Sequence, residues 1–138
     1  MTAPADNLRI NGDRLWEAIH EIAKIGPGVR GGNNRQTLTD ADAEGRRLFK
    51  EWCEAAGMTV AVDSMGTMFA HRKGEDESLP PVMVGSHLDT QPTGGRYDGV
   101  LGVLGGLEIV RTLNDLGIKT RHPIEVVNWT NEEGTRFA

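Results

Sequence analysis

The sequence predicts an α/β fold organised around a strand–helix–strand unit in its second half. Three observations carry this. Residues 81–86 (PVMVGS) form a short apolar run of the kind found in buried strands. Residues 98–116 form a long, nearly all-round apolar helix ended by Gly117. Residues 124–130 (IEVVNWT) again read as a strand. Such a unit pairs its two strands in parallel through a right-handed crossover.

The elements upstream follow in order. Residues 1–11 read as a loose lead-in. Residues 13–25 read as an amphipathic helix with Leu15, Ile19, Ile22 and Ala23 at helical spacing, stopped by Gly26-Pro27-Gly28. Residues 26–37 make a polar, Gly-rich loop. The stretch from Thr39 to Asp42 supplies an N-cap for a helix reaching Ala56, with Gly57 just past its end. Leu48, Phe49, Trp52 and Cys53 share one face of that helix. Residues 58–63 and 67–71 read as two strands of a hairpin around Ser64-Met65-Gly66, and 73–79 as an acidic surface loop. Residues 87–97 are a Gly/Pro/Thr-rich loop. No repeat or linker divides the chain, and Trp16, Trp52 and Trp129 read as core aromatics.

Composition bounds the function. The chain has 138 residues, with 15 Lys+Arg against 20 Asp+Glu and a net charge of −5, an acidity that argues against a nucleic-acid or anionic-membrane partner. No run approaches the roughly 20 apolar residues of a membrane span. Residues 1–16 lack the apolar core of a secretory signal. A single cysteine excludes an intrachain disulfide and favours a cytoplasmic location.

In open α/β sheets the ligand site lies beyond the C-terminal ends of the strands. His87 and Asp89 follow the first strand of the unit, Asp98 opens its helix, and Glu132 and Glu133 follow its second strand. Parallel pairing brings all of them to one rim. Imidazole mixed with carboxylates suits zinc, manganese or cobalt better than calcium. Asp89, two residues beyond His87, can hydrogen-bond the far ring nitrogen and fix its tautomer. The side chains of the adjacent glutamates diverge, so one can bind metal while the other serves as general base. Taken singly, each feature has an ordinary explanation: a surface hydrogen bond, a helix cap, a solvated pair. Their convergence is what points to a site.

Other candidates fall away. Ser86 and His87 point to opposite faces, which argues against a serine triad. Gly99, Gly102, Gly105 and Gly106 match no nucleotide-binding pattern and read as close helix–sheet packing. Cys53 reads as core. His122 lies about 25 Å from the glutamates, at the far end of their strand. His71 reads as exposed, and His20 has no evident carboxylate partner. His87, Asp98 and one glutamate remain as ligands, enough for one catalytic zinc and too few for two metals.

The motifs GSHLDT (85–90), GGRYDG (94–99) and NEEGTRF (131–137), in this order, resemble the N-carbamoyl-L-amino-acid hydrolases, with their β-ureidopropionase and allantoate amidohydrolase relatives. The likeness extends upstream through RQTLTD (35–40) and VDSMG (62–66). It implies the N-terminal portion of a sheet-centred, aminopeptidase-like metallohydrolase catalytic domain. It implies two divalent ions, zinc foremost, with manganese, cobalt or nickel as alternatives. His87 would bind one, Asp98 bridge both and Glu133 bind the second. Glu132 would be the general base and Asp89 would orient His87. The implied reaction is hydrolysis of a ureido C–N bond in a small N-carbamoyl amino acid or related compound, with release of ammonia and carbon dioxide. A peptidase or deacylase on the same scaffold, or an inactive fragment, are the alternative readings. Family members are longer and carry further histidines and a lid domain that forms a homodimer. Residues 1–138 therefore read as the N-terminal part of the catalytic domain, inactive on its own.

Overall fold

A computed structural model describes residues 8–138. Part of the predicted lead-in, residues 1–7, lies outside the described residues. The first helix, α1, spans Gly12–Ile22. The Asn11 side chain caps it by accepting the Arg14 backbone N–H at 3.0 Å. It ends earlier than periodicity alone predicts. Lys24 and Ile25 donate to carbonyls three residues back, Glu21 and Ile22, tightening the chain before Gly26 turns it at φ 67°.

The second helix, α2, spans Asp40–Ala55. The Thr39 hydroxyl accepts the Asp42 N–H at 3.2 Å, and Gly57 leaves the helix at φ 80°. A hairpin follows, β1 (Thr59–Val62) antiparallel to β2 (Met68–Arg72). Then come β3 (Val82–Ser86), α3 (Val100–Asp115) and β4 (Ile124–Asn128). The sheet order is β1-β2-β4-β3. β3 and β4 are parallel, and β4 pairs antiparallel with β2 on its other side. The predicted strand–helix–strand unit is present, and the result is a mixed α/β sheet with helices.

The core gathers Ile19 and Ile22 of α1, Phe49 and Cys53 of α2, Val103, Leu104 and Leu107 of α3, and the β4 valines. Cys53 is buried, as its helical face requires. Gly106 and Gly102 serve helix–sheet packing. A Cβ at Gly106 would meet Val126 Cγ1 at 2.9 Å, and one at Gly102 would meet Ser86 Cβ at 2.7 Å. Gly105 does not belong with them, since a Cβ there meets nothing within 4 Å.

Tertiary structure corrects several expectations. α3 begins after Asp98, because Gly99 at φ 71° cannot continue a helix backwards. The helix is also not apolar throughout. Glu108 is buried, and both of its oxygens accept from the Arg14 guanidinium at 2.8 Å. Among the described residues the 81–86 run lies at the sheet edge, with Val82 and Met83 exposed. Trp16 and Trp129 are not core residues. Trp16 stacks on Tyr97 at 5.9 Å and Trp129 packs edge-on against Phe69, both half in solvent. Trp52 is partly buried, with the Arg111 guanidinium over its ring. His71 is not exposed; it sits between Glu77 and Glu125. His122 bonds the Pro80 carbonyl, and His20 bonds the Trp16 carbonyl one turn back.

Candidate metal centre

β3 and β4 run side by side in register, with Ser86 opposite Asn128 at their C-terminal ends. The loops that leave them therefore rise from one rim. His87 is the first residue past β3. Glu132 and Glu133 sit in a turn flanked by Asn131 (φ 56°) and Gly134 (φ 59°), two residue types that tolerate left-handed backbone. Asp98 stands on the loop before α3. Gly99 brings that loop against His87: a Cβ at this position would meet the imidazole at 2.5 Å. The site thus needs glycine here for both its backbone angle and its lack of a side chain.

Among the described residues, one ligand atom each from His87, Asp98 and Glu133 lie within 4.8 Å of one another. His87 Nε2 is 3.6 Å from Asp98 Oδ1 and 3.4 Å from Glu132 Oε2. Two ligands of one tetrahedral zinc stand about 3.4 Å apart when each bond is about 2.1 Å. The His87–Asp98 separation of 3.6 Å is close to that spacing, so this pair suits a shared divalent ion. Three carboxylates gathered about one imidazole nitrogen also repel one another, and a dication relieves that repulsion. His87 is buried while Asp98 is exposed, so the cluster is anchored in protein on one side and open on the other.

The link between Asp89 and His87 differs from the expected one. His87 Nδ1 lies 2.8 Å from the backbone carbonyl of Asp89, whereas the nearer carboxylate oxygen is 3.6 Å away. A carbonyl only accepts, so Nδ1 carries a proton and Nε2 is the ring atom turned to the carboxylates. The Asp89 side chain turns instead to the glutamate turn. It accepts the backbone N–H of Glu132 at 3.3 Å and of Glu133 at 3.1 Å. The period-two rule put Asp89 near His87 correctly in space but did not anticipate that main chain would take the ring nitrogen.

Two further residues touch the site that spacing did not single out. Gln91 Nε2 donates to Glu133 Oε2 at 3.1 Å. Asn128, a buried polar residue at the end of β4, accepts the Leu88 N–H at 2.9 Å. The second had a legible signal, since an amide at a buried strand position needs a partner. A cleft of about 530 Å³ between the helices, lined in part by Arg14, Lys24, Trp52 and Arg111, holds none of the cluster residues.

The mixed α/β fold is the one found in hydantoinase/carbamoylase family amidases. Residues 83–138 match the family model for peptidase family M20/M25/M40. Over all 138 residues the chain is 71% identical to an N-carbamoyl-L-amino-acid amidohydrolase of Rhizobium meliloti, covering 33% of that protein, its N-terminal part. It is 36% identical to a ureidoglycolate hydrolase of Arabidopsis thaliana across 96% of the chain and 28% of that protein. A crystal structure of a hydantoinase/carbamoylase family amidase from Burkholderia ambifaria superposes with a TM-score of 0.95 at 60% identity, over 96% of this chain and 33% of that one. The chain thus spans about a third of the length of the relatives it matches.

Proposed function

We propose that residues 1–138 form the N-terminal part of the catalytic domain of an enzyme that hydrolyses a ureido C–N bond. The substrate class is an N-carbamoyl amino acid or a related small ureido compound, and the products are the amine, ammonia and carbon dioxide. The observation that carries this reading is the close grouping of His87, Asp98 and Glu133 at the strand rim, in a chain 71% identical to an amidohydrolase. His87 and Glu133 would each hold one divalent ion and Asp98 would lie between them. The ions, zinc foremost, would supply polarisation of the carbonyl and acidification of a water. Glu132, beside His87 Nε2, would take a proton from the attacking water and return it to the leaving nitrogen. Asp89 would hold both glutamates in place through their backbone N–H groups. A homodimer in the cytoplasm, without nucleic-acid or membrane partners, completes the proposal.

One observation favours a second reading. The matching family model is that of a peptidase family, so a peptidase or deacylase on this scaffold is the alternative. The complete gene product, loaded with zinc, is assayed for ammonia release from N-carbamoyl amino acids, allantoate and ureidoglycolate, and for cleavage of dipeptides. Turnover of a ureido compound well above that of any dipeptide is the expected result. Faster dipeptide cleavage moves the protein to the peptidase reading.

A further inference from the structure

Arg35 is fully buried, yet among the described residues its guanidinium makes no ion pair. Its partners are backbone carbonyls on two separate segments. Nη1 donates to Ile22 O at 3.2 Å, in the last residue of α1, and to Ile25 O at 2.7 Å, three residues past it. Nε donates to Leu88 O at 2.9 Å. The main chain adds two more ties: Arg35 N–H donates to Thr90 Oγ1 at 2.7 Å, and Arg35 O accepts the Thr90 N–H at 2.8 Å. α2 makes room for the side-chain stem with Gly45, where a Cβ would meet Arg35 Cδ at 2.9 Å.

The partner Leu88 stands between His87 and Asp89. The His87 ring bonds the Asp89 carbonyl, so ring and backbone close a small loop across Leu88. Two complete peptide groups lie in that loop, ahead of the one whose carbonyl accepts from the ring. The first presents the Leu88 N–H, which Asn128 Oδ1 holds at 2.9 Å. The second presents the Leu88 carbonyl, which Arg35 Nε holds. Rotation of either peptide would turn the imidazole, and each is pinned by a buried side chain from another element. Burying a guanidinium carries a desolvation penalty that an apolar side chain would avoid. What arginine gains is reach: its rigid fork spans the Ile22 and Ile25 carbonyls and Leu88 at once, and its positive charge suits the negative end of α1. A lysine, with one point of donation, cannot bridge both segments.

We propose that Arg35, together with Asn128, is a positioning residue that clamps Leu88 and so aims His87 Nε2 at the carboxylate cluster. The proposal rests on the reading of His87 as a metal ligand. It gives a role to the RQTLTD segment, which the site itself does not use.

The test uses the complete gene product and zinc as the probe. His87→Ala is measured first. Undiminished zinc affinity there removes the ligand reading, and the clamp with it. Given a loss in His87→Ala, Arg35→Met should weaken zinc binding about tenfold or more, the order seen when a partner orienting a ligand is removed. The His87 imidazole ¹⁵N signals should lose the single Nδ1–H tautomer. Arg35→Lys should recover part of the affinity. Val110→Ala is the control for stability alone, since it opens a buried position ten residues, about 15 Å, beyond the start of α3. It should lower the melting temperature while leaving zinc affinity within about twofold of the parent. Parent-like zinc affinity and His87 tautomer in Arg35→Met would overturn the proposal, as would an equal affinity loss in Val110→Ala. Should Arg35→Met fail to fold, Arg35→Lys decides: unchanged zinc affinity in that variant refutes the clamp.

Discussion

Asp89 Oδ2 accepts the backbone N–H of Glu133 at 3.1 Å, so a carboxylate leaving β3 holds the turn that leaves β4. Its second oxygen faces the Glu132 N–H at 3.3 Å. One buried side chain thereby ties the two strand ends together at the point where the ligand cluster forms. The bond to Glu133 fixes a backbone position and does not engage the glutamate carboxylate.

Asp89→Asn tests that tie. The amide retains one acceptor, but its NH₂ group would face a backbone N–H donor. The turn loosens, and zinc affinity of the complete protein should fall about 10- to 100-fold. Competition against a chelator measures it. Parent-like affinity would show that the turn keeps its shape without the carboxylate.

The two glutamates should separate by readout. Glu132→Gln should retain zinc and lose roughly 10²- to 10⁴-fold in turnover, because it removes a proton acceptor and leaves the ligands. Glu133→Gln should lose zinc affinity about tenfold or more, and excess metal should restore part of its activity. Metal content after dialysis, read beside ammonia release, distinguishes them. Equal metal loss in both variants would contradict the assignment.

His71 predicts a pH dependence of stability remote from the site. Its Nε2 is 2.8 Å from Glu77 and its Nδ1 is 3.2 Å from Glu125. Burial works against charge on the ring, but the hydrogen bonds to Glu77 and Glu125 outweigh it and raise the pKa above its ordinary value. The folded pKa thus lies above the unfolded value of about 6.5. The stabilisation is fully present below the unfolded pKa and is lost as pH rises through the folded one. The melting-temperature gap between parent and His71→Gln should be widest below the unfolded pKa of about 6.5 and should narrow as pH rises above it. A gap that widens with pH would refute the bridge.

Cys53 predicts an inert thiol. Burial on the core face of α2 pushes its pKa up to about 12, although nearby Arg111 pulls the other way. At pH ~8 only about one thiol in ten thousand would be ionised, and that one is enclosed. A colorimetric thiol reagent should therefore leave Cys53 unmodified in native protein and label it fully in denaturant. Rapid labelling of the native chain would mean that α2 opens.

Much of the architecture could be read from local pattern. Helical spacing, the Thr39 cap, Gly57 and Gly117 mark helix ends through backbone chemistry that acts over a few residues. The strand–helix–strand order over 81–130 leads to parallel pairing by the handedness of chain crossovers, and this brings His87, Asp98 and Glu133 to one rim. The motifs themselves carried the family resemblance.

The rest depended on contacts between residues far apart in the chain, which have no period to read. Whether an apolar run becomes a buried strand or an edge depends on which strands pair beside it, and among the described residues β3 pairs with β4 alone. Trp16 and Trp129 are apolar in composition, but packing geometry left them half in water. His71 gained its carboxylates from Glu77 and from β4, 54 residues away. The same holds at the site. Which atom of Asp89 bonds His87, and that Arg35 reaches Leu88 across 53 residues, follow from where the backbone carbonyls point after folding. Every residue offers such a carbonyl whatever its side chain, so residue identity could suggest the cluster but could not reveal the main-chain bonds around it.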